Sequence, residues 1–313
     1  MKLYEEGRLL LNDPISKYLP ELKKTNKKSI TIREILNHAS GLVAGIPAKR
    51  PLYNHDGELS NWYRLKPSAD YYIEVANNLY LRDDWVDSIW KLAKLSHLGP
   101  KTYRYSDVGF LYLGKVIEEI TGEPLNIFVH KTFYAPMGLS RTGFVPSRFL
   151  PINEIAPSEH DYNFRNRLLQ GYVNDPTVAM LGGVGGSAGL FSTSKELYFL
   201  MQMLVNKGSF KGKQYLKPET VALFTGYQIG FHRGLGFDKP RKTPFGTTPY
   251  PAKSASPETF GHTGFTGTCV WADPQKELIF IFLSNRLYPN ENKKLNQMNI
   301  REKLLEAAYH TFP

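Results

Sequence analysis

Leu197, Leu200, Met201 and Leu204 recur at i, i+3, i+4 and i+7, the spacing of one helical face. Thr193-Ser194-Lys195-Glu196 stands before them as a capping box, and Gly208 follows as a stop. Thr31-Ile32-Arg33-Glu34 repeats the box ahead of Ile35 and Leu36. A third face, Phe110, Leu113, Ile117 and Ile120, is opened by Ser106 or Asp107 as N-cap and closed by Gly122. Lys217-Pro218-Glu219 places proline in a first helical turn. The last helix is expected from about Asn292 to about His310, with Ile300, Leu304, Ala307 and Ala308 inward.

Strand patterns come late. Thr266 to Trp271 and Leu278 to Leu283 flank the turn signal Ala272-Asp273-Pro274-Gln275. The second run is apolar at every position, so both of its faces need cover. That predicts an α/β arrangement, a sheet sandwiched between helices with the C-terminal helix as one cover. The stretch from about Pro51 to Pro100 carries Tyr53, Trp62, Tyr63, Tyr71, Tyr72, Tyr80, Trp85 and Trp90 without a sheet pattern, and reads as a mostly helical insertion. Singly, these aromatics are expected in the core or on the surface; some could line a cleft.

With 313 residues, 42% hydrophobic and 22% charged, the composition is that of a folded chain large enough for one or two full cores. The longest apolar run is too short to span a bilayer, and no signal peptide pattern opens the chain. The net charge is +10, but its densest stretch, Lys23-Lys24-Thr25-Asn26-Lys27-Lys28, lacks interleaved aromatics. It reads as a solvated loop and argues against a nucleic-acid partner. A mild positive field could still favour anionic substrates such as peptide carboxylates. Cys269 stands alone, which excludes an internal disulfide and suggests strand packing. The histidines form no metal-ligand pattern, so no metal and no cofactor are expected.

Two short motifs carry candidate chemistry. Tyr105-Ser106-Asp107 opens a helix, and a plain N-cap accounts for its serine and aspartate. His262-Thr263-Gly264 lies on the edge of the strand run, where a polar edge followed by glycine is common. Order and surroundings are more specific than either motif. Glu5-Glu6-Gly7-Arg8-Leu9, Asn12-Asp13-Pro14-Ile15-Ser16-Lys17-Tyr18-Leu19-Pro20, and Ile30 through Leu42 precede them; Gly182-Gly183-Val184-Gly185-Gly186-Ser187-Ala188-Gly189-Leu190 lies between.

From end to end this order resembles beta-lactamase-related serine hydrolases, a group that includes class C beta-lactamases, penicillin-binding-protein-like D-alanyl-D-alanine peptidases and esterases. Within it the chain is most similar to the beta-lactamase-like half of proteins fused to a beta-N-acetylhexosaminidase. The resemblance implies an α/β domain built from both chain ends, residues 1–48 and 176–313, around a mostly helical insertion at 49–175. It also implies a small-molecule or peptidoglycan-derived substrate, a periplasmic or cell-envelope setting and a fused glycosidase upstream as a possible partner domain. Tyr105 would take or relay the nucleophile's proton, for which its phenol needs cationic neighbours. Asp107 and His262 would be its catalytic companions. Ser106, Thr263, Gly264 and Phe265 would border the substrate, with the Phe265 N–H as an oxyanion donor.

The chain departs from that pattern in three places. His262 stands where lysine is usual and is expected to bring a charge that titrates near neutrality. Asp107 stands where asparagine is usual and adds a negative charge. Both weaken the case for a carboxylate-bearing beta-lactam relative to an ester or a D-amino-acid peptide. Third, the Ser-x-x-Lys nucleophile that should precede both motifs is missing. By resemblance it would lie before the Glu5–Leu9 segment; Ser88-Ile89-Trp90-Lys91 and Ser192-Thr193-Ser194-Lys195 both come after that segment, and the second already reads as a helix start. Gly185-Gly186-Ser187-Ala188-Gly189 fits a nucleophile elbow by letter but lacks a strand before and a helix after. The expectation is an N-terminally truncated hydrolase domain, inactive as it stands. The alternative is a non-catalytic module that binds cell-wall fragments.

Overall fold

The computed structural model describes residues 1–228, 230–241 and 249–311. Its backbone divides into two compact units, Met1–Leu10 with Ser192–Pro313, and Leu11–Phe191.

In the first unit, Phe260–Thr263, Cys269–Asp273 and Leu278–Phe282 form an antiparallel sheet in chain order. Pairing Trp271 with Phe280 and Ala272 with both Phe260 and Ile279 sorts the side chains by face. Cys269, Trp271, Leu278, Phe280 and Phe282 pack with Leu305 and Tyr309 of the Ile300–Thr311 helix. Val270, Ala272 and Ile279 pack with Met201, Leu204 and Val205 of the Ser194–Val205 helix. The run that did not alternate is therefore covered on both faces, the sandwich the pattern required. Cys269 is buried there, and burial pushes its thiol up to about 12.

The C-terminal helix differs from expectation. It is two pieces, Lys294–Gln297 and Ile300–Thr311, separated where Asn299 takes a left-handed φ of 50°. Its inward residues are Leu305 and Tyr309, while Leu304 is exposed. Adjacent leucines allow two phases of the helical period. The aromatic ring, whose hydroxyl donates to Asp273 at 2.8 Å, selects this one.

In the second unit the stretch 51–100 does contain a sheet. Leu79–Leu81 pairs antiparallel with Tyr63–Arg64 on one side and Ile73–Ala76 on the other. Two- to four-residue strands are too short to show a period, so sequence pattern missed them. Tyr63, Val75, Leu79 and Leu81 share a core with Trp85 and Ile89 of the Asp84–Leu95 helix and with Leu111, Val178 and Met180. The Arg50 guanidinium lies 3.5 Å from the Trp85 ring centroid. Tyr53 and Tyr72 are exposed.

The basic stretch also differs. Lys27 is not solvated but 0% exposed. Its ammonium donates to Asn26 Oδ1 (3.0 Å) and to the carbonyls of Lys94 (3.0 Å) and Ser96 (2.6 Å). It thus satisfies carbonyls at the C-terminus of the Asp84–Leu95 helix, where a cation also meets the negative end of the dipole. Among the described residues, no helix is long and apolar enough to cross a membrane.

Candidate active site

Tyr105-Ser106-Asp107 sits at the start of the Asp107–Thr121 helix in the second unit. Ser106 is the N-cap. Its hydroxyl oxygen accepts from the Gly109 N–H at 3.2 Å and its O–H donates to the Val43 carbonyl at 2.6 Å. It is buried, and both of these bonds tie it to the backbone. Tyr105 is 43% exposed, with its ring centroid 4.3 Å from that of His38. His38 is buried; its Nδ1 accepts the Ser106 N–H at 3.1 Å and its carbonyl accepts the Arg104 N–H at 2.7 Å. The left-handed φ of 53° at His38 turns the chain so that one ring supports Tyr105 and holds Ser106. Sequence reasoning did not single out His38. The signal was its place directly after the Ile32–Leu36 helix, where a non-glycine residue has to make the turn.

Asp107 lines a pocket of about 200 Å³ with Gly45, Ile46, Lys49, Asp175 and Ser187. Burial, then the nearby Asp175 carboxylate, pushes the Asp107 carboxyl from 3.8 up to about 6. Asp175 is itself held by capping the Pro176–Met180 helix through the Val178 N–H at 2.7 Å. The glycine stretch reaches this pocket because it lies tight against the Asp107–Thr121 helix. A Cβ on Gly186 would fall 2.2 Å from the Phe110 carbonyl oxygen. No elbow forms: Ser187 lies in a loop before the Leu190–Phe191 strand.

His262 and Thr263 end the Phe260–Thr263 strand of the first unit. His262 Nδ1 is 2.8 Å from the Thr263 carbonyl oxygen, which can only accept, so the ring proton is on Nδ1. Nε2 then carries the lone pair and faces Arg233 Nη2 at 3.4 Å. Burial, opposed by the Thr263 bond and aided by the guanidinium, lowers the His262 pKa below 6.5. The charge expected on His262 therefore resides on Arg233, 1% exposed and ion-paired with Asp238. Tyr250 donates to the other oxygen of Asp238 at 2.6 Å. Backbone bonds between Asp238 and Gly261 (2.8 and 3.2 Å) tie the pair to the strand. Phe265, 70% exposed, follows on a turn closed by Gly264 N–H to the Thr268 carbonyl at 2.7 Å.

A sequence profile described as Beta-lactamase matches residues 1–305. The chain belongs to the beta-lactamase family. A Salmonella agona protein provisionally named a D-alanyl-D-alanine carboxypeptidase is 33% identical over 328 residues, spanning 98% of this chain and 70% of its own. A homologue of that name in Salmonella enteritidis matches equally. Among solved structures, a penicillin-binding protein homologue from Caulobacter crescentus shares the fold at TM-score 0.60 and 19% identity, covering 98% of this chain and 78% of that one. The simvastatin synthase of Aspergillus terreus does so at 0.62 and 17%, covering 99% and 77%.

For a member of the beta-lactamase family the serine inventory matters most. Ser88 lies within the Asp84–Leu95 helix, and Ser192-Thr193-Ser194-Lys195 starts the Ser194–Val205 helix with Thr193 as its cap. Ser88 stands ahead of the Tyr105 motif but after the Glu5–Leu9 and Ile30–Leu42 segments, and Ser192 follows the motif. Among the described residues no group of three or more His, Cys, Asp or Glu could hold a metal ion. Arg233 and Asp238 went unnoticed in the sequence, since an Arg-x-x-x-x-Asp spacing signals nothing until the backbone pairs Asp238 with Gly261.

Proposed function

We propose that this chain is the body of a serine acyl hydrolase that acts on an ester, a D-amino-acid peptide or a beta-lactam, and that these 313 residues lack its nucleophile. The observation that carries the reading is the half-exposed Tyr105 phenol, fixed from below by the buried His38 at the start of its helix. Family membership and the name of the Salmonella relatives support acyl chemistry and lean toward D-amino-acid peptides. His262 points elsewhere. A neutral imidazole beside an internally paired Arg233–Asp238 gives the strand no net positive charge for a substrate carboxylate. That favours acyl groups without one, such as simple esters.

The test is covalent labelling of the 313-residue chain with a fluorophosphonate and with benzylpenicillin, read by intact mass. No adduct is expected, because losing the serine of a catalytic triad costs on the order of 10⁶ in rate. An adduct mapped to Ser88, Ser187 or Ser192 would overturn the missing-nucleophile reading. A longer chain that includes an upstream Ser-x-x-Lys should label at that serine and hydrolyse p-nitrophenyl acetate. Binding of peptidoglycan fragments without labelling in that longer chain would favour the non-catalytic module.

A further inference from the structure

The turn from Gly264 to Thr268 has an uneven hydrogen-bond account. Every carbonyl oxygen in it is taken. Gly264 O accepts from Gly267 N–H (3.1 Å) and Arg301 Nη1 (3.3 Å). Phe265 O accepts from Arg286 Nε (2.8 Å), and Thr266 O from the Arg286 backbone N–H (3.0 Å). Gly267 O accepts from Ser284 Oγ (2.9 Å). Thr268 O accepts from Gly264 N–H (2.7 Å) and Arg301 Nη1 (3.2 Å). Against this, the N–H groups of Phe265 and Thr266 have no acceptor among the described residues.

Peptide geometry links the two halves of that account. In a trans peptide the C=O and the N–H point in opposite directions. Gly264 C=O and Phe265 N–H belong to one peptide unit, and Phe265 C=O and Thr266 N–H to the next. Each arginine therefore grips the carbonyl of a unit whose N–H faces the other way. A cation on the carbonyl also draws charge from the amide, making that N–H a better donor. The grips are themselves supported. The Arg286 side chain is 7% exposed, with its guanidinium 4.7 Å from the Phe265 ring centroid and Nη1 3.0 Å from Glu291. Arg301 Nη2 holds Asn296 Oδ1 at 2.9 Å. Side chains approach both glycines of the turn closely: a Cβ on Gly264 would fall 2.2 Å from Thr268 Oγ1, and one on Gly267 2.4 Å from Ser284 Oγ.

We propose that Arg301 and Arg286 are positioning residues, which aim and polarise the Phe265 and Thr266 N–H groups as a pair of donors for an oxyanion. This rests on the acyl-hydrolase reading for its substrate, a tetrahedral anionic centre, but its test needs no nucleophile. The ¹⁵N-labelled 313-residue chain is titrated with methylphosphonate, a small tetrahedral anion, and followed by amide NMR. The Phe265 and Thr266 resonances should shift together and saturably. In Arg301→Gln the Phe265 response should weaken most, and in Arg286→Gln the Thr266 response. Apparent affinity should fall about tenfold in each, equivalent to 1.4 kcal/mol. Arg301→Lys and Arg286→Lys, which keep a cation without the planar fork, should recover part of the response and serve if a glutamine variant fails to fold. Absence of a shift at both amides in the wild-type chain overturns the proposal. So does a response that survives in the variants while only their melting temperature drops, which is what a purely structural pair of arginines would give. Failure here leaves the covalent-labelling test of the hydrolase reading standing on its own.

Discussion

Replacing Asp107 with asparagine should stabilise the protein, and only above a defined pH. In the fold the Asp107 carboxyl is raised from 3.8 to about 6 by burial and by the facing Asp175 carboxylate. A group whose folded value is raised supports the fold fully below its unfolded value. It loses that support as pH rises through the folded value. Asp107 is therefore neutral and harmless at pH 4 and an ionised burden at pH 8. At 1.36 kcal/mol per pKa unit the burden is at most about 3 kcal/mol, and partial solvation at the pocket mouth brings the expectation to roughly 1–3 kcal/mol. Asparagine keeps the shape and removes the charge. Urea unfolding of Asp107→Asn and wild type at a series of pH values tests this directly. The difference should be near zero at pH 4, grow between pH 4 and 7, and level off above. A difference that is flat across this range, or that favours the wild type at pH 8, would refute the argument that burial and Asp175 govern this carboxyl.

Other outcomes follow from the same structure. The His262 imidazole should carry its proton on Nδ1 and become charged only below pH 6.5, so long-range ¹H–¹⁵N spectra should show one neutral tautomer from pH 7 to 9; a titration centred above 6.5 would contradict it. Arg233→Gln removes the cation facing that ring and should raise the His262 pKa. It should also cost about 3–5 kcal/mol by stranding the buried Asp238, a loss readable in urea unfolding. Lys27→Met should cost about 1–3 kcal/mol, since the Lys94 and Ser96 carbonyls lose their donor; an unchanged unfolding midpoint would show that water replaces the ammonium.

Legibility tracked how local each signal was. The Thr31 capping box, the Ser106 cap with Gly122 at the far end, and the Thr193 cap are all present, because a cap is decided within four residues. The Leu278–Phe282 strand and its double cover were readable from an apolar run. What could not be read depended on distant partners. Lys27 looks like one lysine among many until the carbonyls at the end of another helix accept its hydrogen bonds. The short strands around Tyr63 and Leu79 exist only as a set. At the candidate site, Tyr105 and His262 were visible as letters. Their surroundings were not, nor the burden on Asp107, since those depend on His38, Arg233 and Asp175, all distant in sequence.

Cys269 turns the protein into its own gauge. It is the one thiol in the chain, sealed between the sheet and the Ile300–Thr311 helix with its ionisation suppressed. A thiol reagent should therefore find nothing to react with until that layer parts. The rate of modification at increasing reagent measures how often the first unit opens, without a label, a mutation or a substrate, and it is blind to any unfolding confined to Leu11–Phe191.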